Sequence, residues 1–326
     1  MEVCVTGASG FIGKALANLL AERGHAVRAV LRNGARDSGL VSGVQRFFGS
    51  WDDAAFLARA VAGCAGMVHL AGAVRAPSAA AFNAVNQGLT RRLAQAVRAA
   101  APAAAFLHVS SQAAGGPCAE RPGLDESRPA APVSDYGRSK LLGEAEALSL
   151  SQPVAVVRPS MVYGPGDRAF VPLYGLACRG FLPAPGRAEQ PLSMVYVDDL
   201  VQGLALALEA LAGGRLASGR VYYLDGPEHT DWRDYAQALG RALGRRVRVL
   251  ALPLWVLRLA ALGNELAARL GLPASHLTLD KVREGSQAGW LCSHARAARD
   301  FGYAPRLGLD EGLARTIDWC RREGLL

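Results

Sequence analysis

The chain has 326 residues, 51% of them hydrophobic, enough to bury one large core or two unequal ones. Its formal charge of +8 comes from arginines dispersed among acids, so no basic block or aromatic-basic strip marks a nucleic-acid groove, and the charge reads as a solvated surface that also attracts anionic cofactors. Six scattered cysteines, Cys4, Cys64, Cys118, Cys178, Cys292 and Cys320, give no close-spaced ligand pair and no disulfide-dense stretch, which argues against structural zinc and for reduced thiols in a cytoplasmic protein.

The first predicted element is a short buried strand, Glu2 to Thr6, with no signal-like segment ahead of it. The turn Gly7-Ala8-Ser9-Gly10-Phe11-Ile12-Gly13 follows and opens a helix over Lys14 to Arg23. In this setting Gly7 permits the tight turn, Gly10 lets backbone approach a pyrophosphate, and Gly13 lets helix pack on strand, with the phosphates at the helix N-terminus. The next strand, Ala26 to Leu31, ends where an acid would bind both ribose hydroxyls of NAD. Leu31 stands there instead, with Arg32 after it and Arg36 nearby, so a 2′-phosphate would meet a guanidinium. NADP(H) is therefore the preferred cofactor expected, with NAD(H) the other.

Strands at Gln45 to Phe48 and Gly66 to Leu70, separated by a helix over Asp53 to Val61, continue a βαβα alternation that implies a doubly wound parallel sheet. A helix over Ala79 to Ala100 carries Asn86, and the strand Ala105 to Val109 delivers Ser110 and Ser111 to its C-terminal end, the edge where such sheets bind ligands. At that edge Ser111 either hydrogen-bonds a substrate carbonyl or caps the turn. His69 and His108 lie inside apolar strands and read as core residues. The Pro-, Gly- and Ala-rich loop from Gln112 to Val133 is long enough to act as a flap.

After that loop, Ser134-Asp135-Tyr136-Gly137-Arg138-Ser139-Lys140 begins a helix with a phenol and an ammonium on one face. A cation beside a tyrosine favours the phenolate, so the pair suits proton transfer. Lysine is scarce in this chain, occurring only at Lys14, Lys140 and Lys281. A strand over Val154 to Val157 leads into the turn-dense Arg158 to Asp167, then come a helix over Arg168 to Arg179, the stretch Ser193 to Leu211, a strand at Val221 to Leu224, and mostly helical sequence. Asp198 and Asp199 open an apolar helix and read as cap and dipole partners rather than metal ligands. The apolar Val249 to Leu272 is broken by Pro253, Arg258 and Gly263-Asn264-Glu265, so nothing spans a membrane.

Taken together, Thr6 to Gly13, His69-Leu70-Ala71-Gly72, Asn86, Val109-Ser110-Ser111, Tyr136 with Lys140, Arg158 to Gly166 and Val195-Tyr196-Val197-Asp198-Asp199 resemble the extended short-chain dehydrogenase/reductase family, often labelled NAD-dependent epimerase/dehydratase. The resemblance covers the whole chain. It implies a Rossmann-type α/β fold with a dinucleotide-binding domain over 1–165, rejoined at about 193–225, and a smaller helical substrate domain from 166–192 and 226–326. It also implies a catalytic Tyr136 tuned by Lys140, Ser111 as carbonyl partner, and a homodimer. For the cofactor it implies contacts from Gly7, Ser9, Gly10, Phe11, Ile12, Gly13, Leu70, Ala71, Gly72 and Asn86, and from Val109, Ser110, Tyr136, Lys140, Pro159, Ser160, Met161 and Val162.

Two positions depart from the family pattern. The acid usual after the third strand is displaced to Asp52, and Leu192 stands where nucleotide-sugar enzymes place the arginine that grips a diphosphate, leaving Arg187 as the nearby cation. Leu192 to Val197 is closer to the 3β-hydroxysteroid dehydrogenase and dihydroflavonol-reductase-like branch, and Leu250 to Leu257 fits an apolar pocket with Trp255 and Trp290 as walls. The expected activity is hydride transfer between nicotinamide and a ketone or secondary alcohol on a bulky apolar small molecule. The alternatives are a nucleotide-sugar epimerase or dehydratase and a non-catalytic dinucleotide sensor.

Overall fold

The computed structural model describes residues 1–269 and 277–326. Its first half is a run of strand and helix: β1 (Glu2–Thr6), α1 (Phe11–Glu22), β2 (Ala26–Arg32), β3 (Val44–Gly49), α2 (Ala54–Val61) and β4 (Gly66–His69). Then come α3 (Ala79–Asn86), α4 (Gly88–Ala100), β5 (Ala105–Val109), the single turn α5 (Gln112–Gly115), α6 (Asp135–Leu148) and β6 (Val154–Pro159). Strands β4, β5 and β6 are buried along their whole length, as a sheet covered on both faces requires.

The second half adds β7 (Met161–Tyr163), α7 (Val171–Ala177), β8 (Phe181–Pro185), β9 (Leu192–Tyr196), α8 (Val197–Ala212) and β10 (Arg220–Leu224). It closes with β11 (His229–Thr230), α9 (Trp232–Leu243), β12 (Arg248–Leu252), α10 (Leu254–Arg269), α11 (Leu279–Gly285), α12 (Ala295–Phe301) and α13 (Leu309–Arg322). Among the described residues the main sheet has seven strands in the order β10-β6-β5-β4-β1-β2-β3, every pairing parallel. The order reverses between β1 and β4, and the crevice beyond their C-terminal ends is the binding place of a doubly wound sheet. Strands β11, β9 and β7 make a second small sheet, and β12 pairs with β8 in a third. No helix among the described residues is long and apolar enough to cross a membrane.

The structure corrects several expectations. The helix predicted over Ala79 to Ala100 is two helices meeting at Gln87, because Gly88 is a poor helix former and the Thr90 hydroxyl donates to Asn86 O at 2.7 Å. The helix predicted from Arg168 starts at Val171, where Pro172 fixes the first turn. Asp198 and Asp199 lie in the first turn of α8 but neither caps it. The N-cap is Tyr196 without a side-chain bond, and Asp199 instead accepts from the backbone of Arg306 and Leu307 at 3.0 and 2.8 Å. The 112–133 loop is not a free flap: Cys118 N donates to Gly289 O at 3.0 Å and Leu124 N to Leu291 O at 2.9 Å. Residues 270–272 of the apolar run lie outside the described residues.

Candidate active site

The C-terminal end of β1 delivers Gly7, whose φ of +77° favours glycine and whose hypothetical Cβ would lie 2.8 Å from Ala71 N on the neighbouring strand end. A Cβ on Gly13 would sit 2.2 Å from Gly7 O, so only glycine lets α1 close onto the turn. Helix α1 has Gly10 at its N-cap and no side chain capping its free N–H groups. An apolar strand thus aims an uncapped helix N-terminus into the crevice, the arrangement that holds a pyrophosphate.

From this turn a cavity of about 740 Å³ runs along the sheet edge. Of the predicted residues it is lined by Gly7, Gly10, Phe11, Ile12, Gly13, Leu70, Gly72, Val109 and Ser110, and by Ser111, Tyr136, Lys140, Pro159, Ser160, Met161 and Val162. Ser9, Arg32, Arg36, Ala71 and Asn86 do not line it. Ser9, Arg32 and Arg36 are exposed, and the Arg32 guanidinium lies 5.2 Å from the Trp51 ring centroid at the far end of β2. Ala71 is buried with its N–H on the Thr6 hydroxyl. Asn86 is a brace rather than a lining group: it accepts from Ala73 N at 2.8 Å and donates to Ala73 O at 2.9 Å and to the Ser139 hydroxyl at 2.8 Å. Asp52 is paired on the surface with Arg92 at 3.2 Å.

Helix α6 places Tyr136, Lys140 and Glu144 at successive i,i+4 positions on its buried face. Ser111 accepts from Ala113 N at 3.2 Å as cap of α5, which is one of its two expected roles, and it lowers the phenol of Tyr136 beside it. Lys140 donates to Val109 O at 2.7 Å. Burial depresses its ammonium to about 8, opposed by Glu144. Glu144 accepts from Ser110 at 2.5 Å and is held by Arg158 at 2.9 and 2.7 Å, and Arg158 in turn donates to the Tyr223 hydroxyl at 2.8 Å. Burial works against the Arg158 cation, yet Glu144 holds it well above its ordinary value.

Sequence reasoning missed a second cation. Lys281 on α11 lies 4.8 Å from the Tyr136 ring centroid and is paired with Glu284 at 2.7 Å. Asp280 accepts from Asp135 N at 2.7 Å and Tyr136 N at 3.1 Å, and Ser134 donates to Glu284 at 2.6 Å, so α11 is stitched onto the start of α6. Burial raises the Tyr136 phenol, Lys281 and the Ser111 bond pull it down, and Glu284 pushes it up, leaving it above its ordinary value. Lys140 is expected to lower this phenol, but here its ammonium is directed at Val109 O and the cation acting on Tyr136 is Lys281. The rarity of lysine was the available signal, but a partner so distant along the chain is invisible to local spacing.

The cavity is also lined by Phe170, Leu192, Trp232 and Trp290. Trp232 donates to Gln190 at 3.0 Å and Trp290 to Glu284 O at 3.0 Å, which fixes both indoles. Trp255 is not a wall: it is 65% exposed on α10. Arg187 is exposed and outside the lining. His69 and His108 are core residues as expected. His69 bonds the Thr6 and Thr90 hydroxyls at 2.8 and 2.9 Å, whereas neither ring nitrogen of buried His108 has a partner among the described residues. No metal-binding cluster occurs among the described residues.

The fit to a nicotinamide dinucleotide rests on the glycine turn and on two buried lining groups without a partner among the described residues, Gln112 Nε2 and Ser160 Oγ. Turn, crevice and Tyr-Lys pair together define an enzyme of the extended short-chain dehydrogenase/reductase type. The chain belongs to the NAD dependent epimerase/dehydratase family, whose model matches residues 3–222. It is 30% identical to a ceramide reductase of Caulobacter vibrioides, over 99% of this chain and 96% of that protein. It is 29% identical to a 2-alkyl-3-oxoalkanoate reductase of Stenotrophomonas maltophilia, over 97% and 98% respectively. The solved UDP-glucuronic acid 4-epimerase of Bacillus cereus in complex with NAD shares the fold, with a TM-score of 0.77 over 99% of each chain at 21% identity.

Proposed function

We propose that this enzyme reduces a ketone, or oxidises the corresponding secondary alcohol, on a bulky apolar substrate, with NADP(H) as preferred cofactor. The observation that carries the reading is Leu192, buried in β9 and lining the cavity with Trp232 and Trp290 where a diphosphate-gripping cation would be needed for a sugar nucleotide. The two similar reductases, of ceramide and of 2-alkyl-3-oxoalkanoates, support a carbonyl carried on a long apolar body. The NADP(H) preference is supported by Arg32, exposed at the end of β2 with no acid beside it in the sequence. In the same reading 166–192 and 226–326 serve as the substrate domain, and two copies assemble through helices of the sheet domain.

A bound nicotinamide supplies or takes up the hydride. Ser111 donates its hydroxyl hydrogen to the substrate carbonyl oxygen and polarises it, and Tyr136 transfers its proton to that oxygen as the alcohol forms. The phenolate left behind is stabilised by the Lys281 ammonium. Lys140, anchored on Val109 O, has two further N–H groups to hold a cofactor ribose. Gln112 and Ser160 offer the remaining hydrogen bonds to the cofactor or the substrate.

Tyr136→Phe tests the assignment. The substitution is expected to lower kcat by about 10²–10⁴-fold, the usual share of a general acid, while NADPH still binds within about twofold of wild type in a fluorescence titration. Wild-type turnover by the variant would remove Tyr136 from the reaction.

A further inference from the structure

Among the described residues, helix α10 leaves one face without a partner. Trp255, Leu259, Leu262 and Leu266 are 65%, 60%, 50% and 57% exposed, at the spacing that aligns side chains along one stripe. On the opposite side Ala261 is buried, Glu265 accepts from Leu279 N at 2.9 Å and Asn264 donates to Leu277 O at 2.7 Å, so the polar groups of the helix are turned toward α11. The apolar surface extends to the small β8-β12 sheet, where Phe181 and Leu250 are each about half exposed. More than half of the exposed large hydrophobic side chains among the described residues fall within 176–181 and 250–266. Such a concentration on one side of a molecule marks an interaction surface.

The one acid of α10, Glu265, is turned to Leu279 N, and the exposed charges beside the stripe are cationic. Residues 176–187 and 245–264 contain no Asp or Glu, and Arg179, Arg187, Arg245, Arg246, Arg248 and Arg258 are all exposed. None of these six forms an ion pair among the described residues. A second copy of the chain laid on this face would oppose arginine with arginine, whereas an anionic lipid surface complements both the cations and the apolar stripe. The face also adjoins the cavity: Leu254 packs against Gly186, next to the lining residue Pro185, and α10 packs on α11, which contributes Lys281, Glu284 and Gly285 to the lining.

We infer that the exposed face of α10 docks on an anionic phospholipid bilayer and sets the cavity rim against the lipid phase that holds the substrate. The second half of this inference rests on the proposed apolar substrate; the first does not. Docking here is interfacial, with the apolar stripe pressed into the headgroup region and no span.

Vesicle flotation tests it. The wild-type enzyme is expected to float with phosphatidylglycerol/phosphatidylcholine vesicles at low salt, at least about tenfold more tightly than with pure phosphatidylcholine. Trp255→Ser combined with Leu259→Gln and Leu262→Gln should weaken flotation at least about tenfold, and Arg245→Glu with Arg246→Glu should remove the preference for anionic vesicles. Both variants should keep wild-type melting temperature and turnover of a small water-soluble ketone, since these side chains lie outside the cavity. Equal binding to neutral and anionic vesicles, no binding to either, or a triple variant that changes only the oligomeric state in sedimentation would each overturn the proposal. Flotation is read without turnover, so an active Tyr136→Phe enzyme would remove the functional reading and leave the docking result standing.

Discussion

Lys140 and Lys281 both lie by the Tyr136 end of the cavity, and their pKa shifts tell them apart. Lys140 is depressed to about 8 by burial, so it is cationic at neutral pH and loses its charge as the pH passes that value. Burial also acts against Lys281, but Glu284 and Tyr136 hold its ammonium above the ordinary value, so Lys281 stays charged throughout the working range. Removing it in Lys281→Met should raise the phenol further. In the direction of alcohol oxidation, which needs the phenolate, the pH-rate limb should move up by about one unit, the scale of one partly screened charge at this range. Glu284→Gln should move it the opposite way, a pairing of signs that damage to folding would not produce. A limb unmoved in both variants would make α11 a cover without electrostatic effect.

The pair Tyr136 and Lys140 was legible because both fall on one helix face, and extending the same spacing once more reaches Glu144, whose bond to Arg158 in β6 backs the site. Lys281 was not legible, since only tertiary packing brings α11 over α6. Arg32, the last residue of β2, and Arg36 beyond it were read from the cofactor-binding pattern of the second strand, and both are exposed outside the cavity lining.

Strands β4 and β5 bury the imidazoles of His69 and His108 side by side, with ring centroids 5.3 Å apart. Burial, reinforced by Lys140, holds His69 neutral down to about 3 and His108 well below its ordinary value of 6.5. A base with a depressed folded-state pKa contributes stability above its unfolded value and loses it as the pH falls below 6.5. Each such group then removes about 1.4 kcal/mol per pH unit. Wild-type unfolding in urea should therefore show a steep loss of stability from pH 6.5 toward pH 5, and His108→Leu should make that slope shallower by about half at little cost at pH 8, because the ring it removes has no hydrogen bond to lose. An unchanged slope would mean that His108 does not resist protonation.

At the same scale, strand positions read well from sequence because a parallel sheet buries apolar runs without interruption. Helix ends read less well. The break at Gln87 goes with a local side-chain bond, Thr90 reaching back to Asn86 O, and the clamp made by Asp199 depends on partners outside the helix, the backbone of 306–307 reaching across from the C-terminal segment.

Across the whole molecule, the sheet supplies one half of the site and the helical region after β10 supplies the other. The glycine turn, Ser111 and the Tyr136 helix come from the first half of the chain, while Trp232, Lys281, Glu284 and Trp290 close over them from the second. The cofactor end carries a motif whose backbone geometry demands glycine. The apolar part of the lining is made by indoles and a leucine that sequence cannot tell from core, so Trp290 lines the cavity while Trp255 is an exposed surface group.

Net consumption of reduced cofactor separates a reductase from an epimerase that recycles it internally. The decisive measurement follows absorbance of NADPH, and of NADH in parallel, as purified enzyme meets a long-chain ketone, with the alcohol quantified by mass spectrometry. One NADPH oxidised per alcohol formed, slower use of NADH and no reaction with Tyr136→Phe is the predicted result. Interconversion of a UDP-sugar without net cofactor oxidation, and no turnover of the ketone, would contradict it and return Leu192 to the role of an ordinary core residue.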